Sequence, residues 1–182
     1  MEKRAEILAT AEAVFDGGGF RGTGIDAVLA PAGVSTRTLY KHFGARDALV
    51  LAVLEARHRR FLAWLEDSSK DADPVAALFD TLRDWLAERG ARGCLLLRAR
   101  AEYAGANPEI VSAVRRQKAE FRAIIADRVA AALGRREDTL ATQIWLLFEG
   151  ATAAASVADL TVLEAAKQAA AALLRAAGPA GA

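Results

Sequence analysis

Apolar residues recur at three- and four-residue intervals along almost the whole chain, and no stretch alternates apolar with polar as a half-buried strand would. Glycine and proline fall between the periodic stretches. The pattern predicts an all-α protein. Helix one is expected over roughly 2–16 and two short helices between 23 and 43. A long fourth helix runs from about 46 to 67, with Leu49, Val53, Leu54, Phe61 and Leu65 near its inner side. A polar stretch, Ser68 to Asp73, follows. Asp73-Pro74 then reads as cap and first position of a fifth helix to about 88, 89–93 as a loop, and 94–104 as a sixth helix. Asn107-Pro108 opens a seventh, whose apolar stripe of Val111, Val114, Phe121, Ile125 and Val129 stops at Gly134. Two alanine-rich helices, about 139–157 and 162–177, follow.

The two short helices carry the most specific pattern, TGIDAVLAPAGVSTRTLYKHF between Thr23 and Phe43. Thr23 with Asp26 offers a capping box for the first, Gly33 a permissive turn, and Ser35 a cap for the second. Pro31 has no amide hydrogen and would clash with the carbonyl of Ala27, so the first helix is expected to end or kink near Leu29 to Ala30. In the second, Leu39 and Phe43 point inward with Val34, while Thr36, Arg37, Tyr40 and Lys41 share the opposite face. From Ala27 through Arg46 there is no acidic residue, whereas Arg37, Lys41 and Arg46 are basic, so a phosphate chain meets no local repulsion. The unit is a helix-turn-helix, and its polar, basic, aromatic face is expected to lie on double-stranded DNA.

Composition changes this picture little. A chain of 182 residues, 53% of them hydrophobic, buries a substantial core in one or two domains. With 24 Lys and Arg against 23 Asp and Glu the net charge is +1, so the positive charge is local to one motif. The single cysteine, Cys94, excludes an intrachain disulfide, and Met1 to Arg4 lead into an amphipathic helix rather than an apolar signal core, which points to the cytoplasm. The longest weakly polar stretch, Gly150 to Ala158, is too short to cross a bilayer, so no membrane partner is expected.

Arg57-His58-Arg59-Arg60 sits in the middle of a long helix and reads as a solvated face. Cys94, beside three leucines, suits a buried small side chain better than a reactive thiol. Metal-ligand spacing and paired histidines are missing, and Gly17-Gly18-Gly19 lacks a P-loop lysine and follows a helix. No catalytic residue, metal or cofactor is expected, and the chain does not read as an enzyme. Arg98, Glu102 and Tyr103 on helix six, with Trp85, Cys94, Phe121, Trp145 and Phe148, either line a pocket for a small apolar or aromatic ligand or form ordinary core with Arg98 and Glu102 paired. Ala151, Ala154, Ala155 and Ala158, then Ala165, Ala169 and Leu173, make two smooth faces. Helix propensity alone accounts for them, and so does close approach to other helices.

Ala32-Gly33-Val34-Ser35, Thr38-Leu39-Tyr40-Lys41-His42-Phe43 and Arg46-Asp47-Ala48-Leu49 resemble the signature of the tetracycline-repressor (TetR) family. Ile7-Leu8 and Ala13-Val14-Phe15, followed by Gly17 to Gly19, are similar to its first helix, so about the first third of the chain carries the likeness. Gly93-Cys94-Leu95-Leu96 and Leu146-Leu147-Phe148-Glu149-Gly150-Ala151 are similar to one of its regulatory-domain subgroups. The chain departs from the family at Leu29, usually a small residue, at Pro31, and at Ala45, usually a serine.

The resemblance implies an N-terminal three-helix helix-turn-helix DNA-binding domain over 1–45 and a C-terminal helical ligand-binding and dimerisation domain over 46–182. It implies a ligand-responsive repressor acting as a homodimer on a palindromic operator, with the alanine faces of the last two helices in a four-helix dimer contact. Thr23, Ser35, Thr36, Arg37, Thr38, Tyr40, Lys41, His42 and Arg46 would form the DNA-binding set. Tyr40, Lys41 and Arg46 suit phosphates, Arg37 and Thr36 suit bases, and His42 either reaches phosphate or packs on its helix. The alternative function is a helical dimer that binds ligand or protein, with DNA recognition weakened at Leu29 and Pro31.

Overall fold

The computed structural model describes residues 2–68 and 73–178; most of the polar stretch 68–73 lies outside the described residues. Described residues form nine α-helices and no strand: α1 (Glu2–Gly18), α2 (Ile25–Leu29), α3 (Thr36–Phe43), α4 (Arg46–Ser68), α5 (Ala76–Arg89), α6 (Leu95–Tyr103), α7 (Pro108–Leu133), α8 (Asp138–Ala154) and α9 (Thr161–Ala177). Local chemistry sets several starts. Asp73 Oδ1 accepts the Val75 and Ala76 N–H groups at 3.0 and 2.9 Å, one turn ahead of α5. Asn107 Oδ1 does the same for Glu109 and Ile110 at the head of α7, satisfying amides that a helix start leaves open.

The helices pack in two compact units. One runs to Arg60 and takes in Leu95–Gln117; the other comprises Phe61–Cys94 and the chain from Lys118. In the first, Ile7, Phe15, Phe20, Leu39, Leu49, Leu54 and Ile110 are fully buried in one cluster. α2 has only five residues, too few to persist as an isolated helix, so packing rather than propensity holds it. Pro31 ends it as expected: the chain tightens into a 3-10 turn over Ala30–Ala32 and leaves through Gly33 at φ 59°. The expected Thr23 cap does not form. Gly24 occupies the cap position, and the Thr23 hydroxyl donates instead to the Gly19 carbonyl at 2.7 Å.

Charge is buried in this unit as well. Glu12 on α1 and Arg57 and Arg60 on α4 meet at 3.0 and 2.9 Å, and Asp16 stands 3.7 Å from Arg57. Glu12 and Asp16 are almost wholly removed from solvent, and His58 is buried too. The solvated face expected for residues 57–60 is therefore a correction: only Arg59, with 76% of its side chain exposed, fits it. The sequence shows a run of like charges, but their spacing of three puts Arg57 and Arg60 on one side of the helix, toward an acid supplied 45 and 48 residues earlier.

The second unit is built on aromatic contacts. Phe61 packs against Trp85, Phe121 and Phe148 with ring centroids 5.3 to 6.2 Å apart, and Phe121 lies 4.7 Å from Phe148. α8 and α9 form an αα-hairpin, and α5 packs on both. The Arg128 guanidinium serves the carbonyls of Leu65 and Pro74. Lys118 meets both oxygens of Glu149 at 2.6 and 2.7 Å, with both side chains mostly buried. Burial works to lower the Lys118 pKa, but electrostatic and hydrogen-bond interactions with Cys94 and Glu149 outweigh it and hold the ammonium above its ordinary 10.5.

Two outcomes follow from these buried charges. Glu12→Ala leaves Arg57 without its main partner and is expected to lower the unfolding free energy by about 3 kcal/mol, read by urea denaturation. The raised Lys118 pKa means its stabilisation is complete below the unfolded-state value of 10.5 and is lost as pH rises through the folded value. Lys118→Met should therefore flatten the fall in stability above about pH 10, and an unchanged alkaline profile would count against the pairing.

Candidate nucleic-acid interface

α3 is short, and its position is fixed from both ends. Ser35 Oγ accepts the Thr38 N–H at 3.2 Å and lies 3.0 Å from the Thr38 hydroxyl, which is the expected N-cap. Leu39 is fully buried and Phe43 and Val34 pack partly against the same cluster. Leu29 is also inside that cluster, at 3% exposure, so a large residue is accommodated in the core rather than swung away from it.

With that face inward, Arg37, Tyr40, Lys41 and His42 are exposed. None of these four side chains makes a hydrogen bond or ion pair among the described residues, although the His42 ring stands 6.4 Å from that of Phe43. Tyr40 exposes an aromatic ring at 47% to solvent, and Arg37 and Lys41 flank it by helical phase. Thr36 and Thr38 are half-buried at the edges of the face. The surface thus offers cationic donors, a phenol and a flat apolar ring, a set able to meet anionic oxygens and base edges.

Two expected members are already engaged elsewhere. Thr23 is tied to Gly19, as above, and the Arg46 guanidinium bridges the carbonyls of Phe20 and Thr23, while its charge lies 5.7 Å from the Phe15 ring. Sequence reasoning missed Arg4, whose guanidinium lies 5.0 Å over the Phe43 ring and adds an exposed positive charge beside the end of α3. Lys3 donates to the Ala32 carbonyl at 3.2 Å. Nothing in the spacing of Lys3 and Arg4 announces this, because the contact is made across about 30 to 40 residues of chain.

The expected pocket set is divided. Arg98, Glu102 and Tyr103 belong to the first unit, where Arg98 donates to the Asp16 carbonyl at 2.8 Å and Glu102 accepts the Phe20 and Arg21 amides. Trp85, Phe121 and Phe148 fill the aromatic core of the second unit; Trp145 packs partly against it, with Arg122 5.3 Å over its ring. Cys94 is half-buried near Lys118. A cleft of about 360 Å³ in the second unit is lined by Pro74, Leu133, Leu174 and Arg175 among others, and includes none of these residues.

The alanine faces are rotated from expectation. Ala151 and Ala155 turn into their own core, while Ala154, Ala169 and Leu173 are half-buried and Ala158 and Ala165 exposed. The outward stripe of α8 is instead Gln143, Leu146, Gly150 and Ala153, continued by Val157 just beyond the helix; Leu146 is 57% and Val157 88% exposed. A helix of many alanines gives almost no contrast from which to read its phase.

Fold and face together define an all-α protein of the helix-turn-helix class. Residues 7–53 match the family described as bacterial regulatory proteins, tetR family. The chain is 42% identical over 57 residues to the HTH-type transcriptional activator FasR of Mycolicibacterium smegmatis, a stretch covering 31% of this chain and 26% of that protein. It is 35% identical over 81 residues to the HTH-type transcriptional regulator RutR of Escherichia coli, covering 44% of this chain and 38% of that one. The chain thus spans about a quarter to two fifths of the length of these curated relatives. Over nearly full length it is similar to the crystal structure of a TetR-family transcriptional regulator from Streptomyces coelicolor, with a TM-score of 0.87, 30% identity, and 96% and 95% of the two chains covered. The chain belongs to the TetR family. Membership of a family of regulatory proteins is what sets an enzymatic role aside.

Proposed function

We propose that the chain is a DNA-binding transcriptional repressor that acts as a homodimer on a palindromic operator and responds to a small apolar or aromatic ligand. The observation that carries DNA binding is the α3 face, where the side chains of Arg37, Tyr40, Lys41 and His42 stand exposed with no hydrogen-bond or ion-pair partner among the described residues. Lys41, Tyr40 and Arg4 take phosphates, Arg37 and Thr36 read base edges, and His42 lies at the margin. Ser35 and Thr38 hold the helix start, and Arg46 and Thr23 shape the corner behind it. DNA binding is the role of 1–45, and ligand binding and dimerisation that of 46–182, in a cytoplasmic protein that needs no cofactor.

Dimerisation is supported by the outward stripe of Leu146, Gly150, Ala153 and Val157, large apolar and small residues at helical spacing with no cover among the described residues. Pairing doubles the bases read, since one recognition helix contacts few of them. Ligand response rests on family likeness. α4 contributes residues to both packing units, so a tilt of that helix would alter the spacing of the paired recognition helices and lower operator affinity.

Selecting duplexes from a random pool with the purified protein tests the DNA function, and affinity is expected to fall steeply with salt. Failure to enrich any sequence, with salt-insensitive binding, would favour the helical dimer with weakened DNA recognition. Lys41→Ala should weaken binding to every sequence alike and reduce the salt slope by about one, whereas Arg37→Ala should relax preference at one position by roughly 1 to 3 kcal/mol. Identical sequence profiles for wild type and Arg37→Ala would remove Arg37 from base reading. Leu146→Glu and Val157→Glu should shift the dimer toward monomer in sedimentation, and wild-type dimers in both would put the interface elsewhere.

A further inference from the structure

The turn from α1 into α2 is held by side chains from far along the sequence. Phe20 and Arg21 donate their backbone N–H groups to a single oxygen of Glu102, Oε2, at 2.9 and 2.6 Å, across 82 and 81 residues. One turn earlier on α6, Arg98 donates to the carbonyl of Asp16 at 2.8 Å, in the last turn of α1, and at 3.4 Å to that of Phe15, which also accepts the Gly19 N–H. Spacing of four puts the two charges on one face of α6, the cation toward helix carbonyls and the anion toward amides. Phe20 is fully buried, and its ring meets that of Tyr103 edge-on at 6.1 Å. The fit is close: Gly19 has φ 77°, and a Cβ there would stand 2.9 Å from Glu102 Oε1.

From this corner hang α2, too short to direct itself, and then α3. We propose that Arg98 and Glu102 are positioning residues for DNA recognition, fixing the corner that presents α2 and α3 although α6 carries no part of the recognition face. The inference rests on the DNA-binding function proposed above. A carboxylate that accepts two successive amides sets the direction of the chain at that point, and removing it leaves the buried Phe20 amide without its acceptor. Residues that touch neither partner change binding by this route when they bias the geometry of those that do.

Glu102→Ala in the full chain is compared with wild type on a duplex selected by the wild type. The dissociation constant should rise about tenfold, and Glu102→Gln, whose amide oxygen still accepts, should recover most of the loss. Unlike Lys41→Ala, the variant should keep the wild-type salt slope, because no phosphate contact is removed. A merely structural role would lower the melting temperature and the titratable active fraction while leaving the dissociation constant of the folded protein unchanged. Wild-type affinity in Glu102→Ala, or a reduced salt slope, overturns the proposal.

Amide hydrogen exchange supplies a reading independent of DNA. Exchange across 25–43 should accelerate in Glu102→Ala while α8 and α9 keep their protection, and unchanged exchange at 25–43 sinks the clamp. If the wild type binds no duplex, the function proposed above fails on that result alone, and exchange still decides whether Glu102 positions α2 and α3. Should Glu102→Ala not fold, Glu102→Asp, whose carboxylate is drawn back by one methylene, and Arg98→Lys carry the same comparison, with intermediate affinities expected and wild-type affinity in both overturning it.

Discussion

A carboxylate removed from water must find cations, and Glu12 finds two, Arg57 and Arg60, on a single helix. That requirement locks α1 to one register on α4, because a slide of one turn would leave buried charges uncompensated. Apolar contact alone tolerates such slippage; a forked guanidinium on a carboxylate does not. With α1 and α4 fixed, Ile7, Phe15, Leu49 and Leu54 close the core between them, and the short helices have a surface on which to fold.

The exposed face of α3, the proposed recognition face, follows from what that core takes away. Leu39 and Phe43 turn inward, so Arg37, Tyr40 and Lys41 have nowhere to go but out, and the Ser35 cap starts the helix where this phase is correct. Pro31 shortens α2 without harming α3, because Gly33 supplies the left-handed turn that restarts the chain. The large Leu29, a departure from the family pattern, fills core rather than opposing it.

Periodicity made the helices legible, and side-chain chemistry within a few residues made the caps at Ser35, Asp73 and Asn107 legible too. Contacts that join distant segments were not. Arg57 and Arg60 read as solvated because their acids lie on α1, and Arg98 and Glu102 read either as pocket anchors or as paired with each other because nothing local reveals that their partners are backbone groups of the α1–α2 corner. Thr23 misled for the opposite reason: its sequence suits a cap, but the Gly19 carbonyl was nearer. In α8 and α9 alanine supplies helix propensity and hides phase, so the buried Ala151 and Ala155 and the exposed Leu146 and Val157 are separable only in three dimensions.

The first unit is assembled from two pieces of chain, one ending at Arg60 and one spanning Leu95–Gln117. A gene fragment that stops after α3 would therefore encode the proposed DNA-facing surface without α4, without Arg46 on the corner carbonyls and without α6 behind them. For this chain, grafting the motif onto another protein means carrying its supports along, and no single uninterrupted stretch that stops before the end of α6 at Tyr103 contains them all. Its apparent modularity belongs to the sequence motif, not to the folded object.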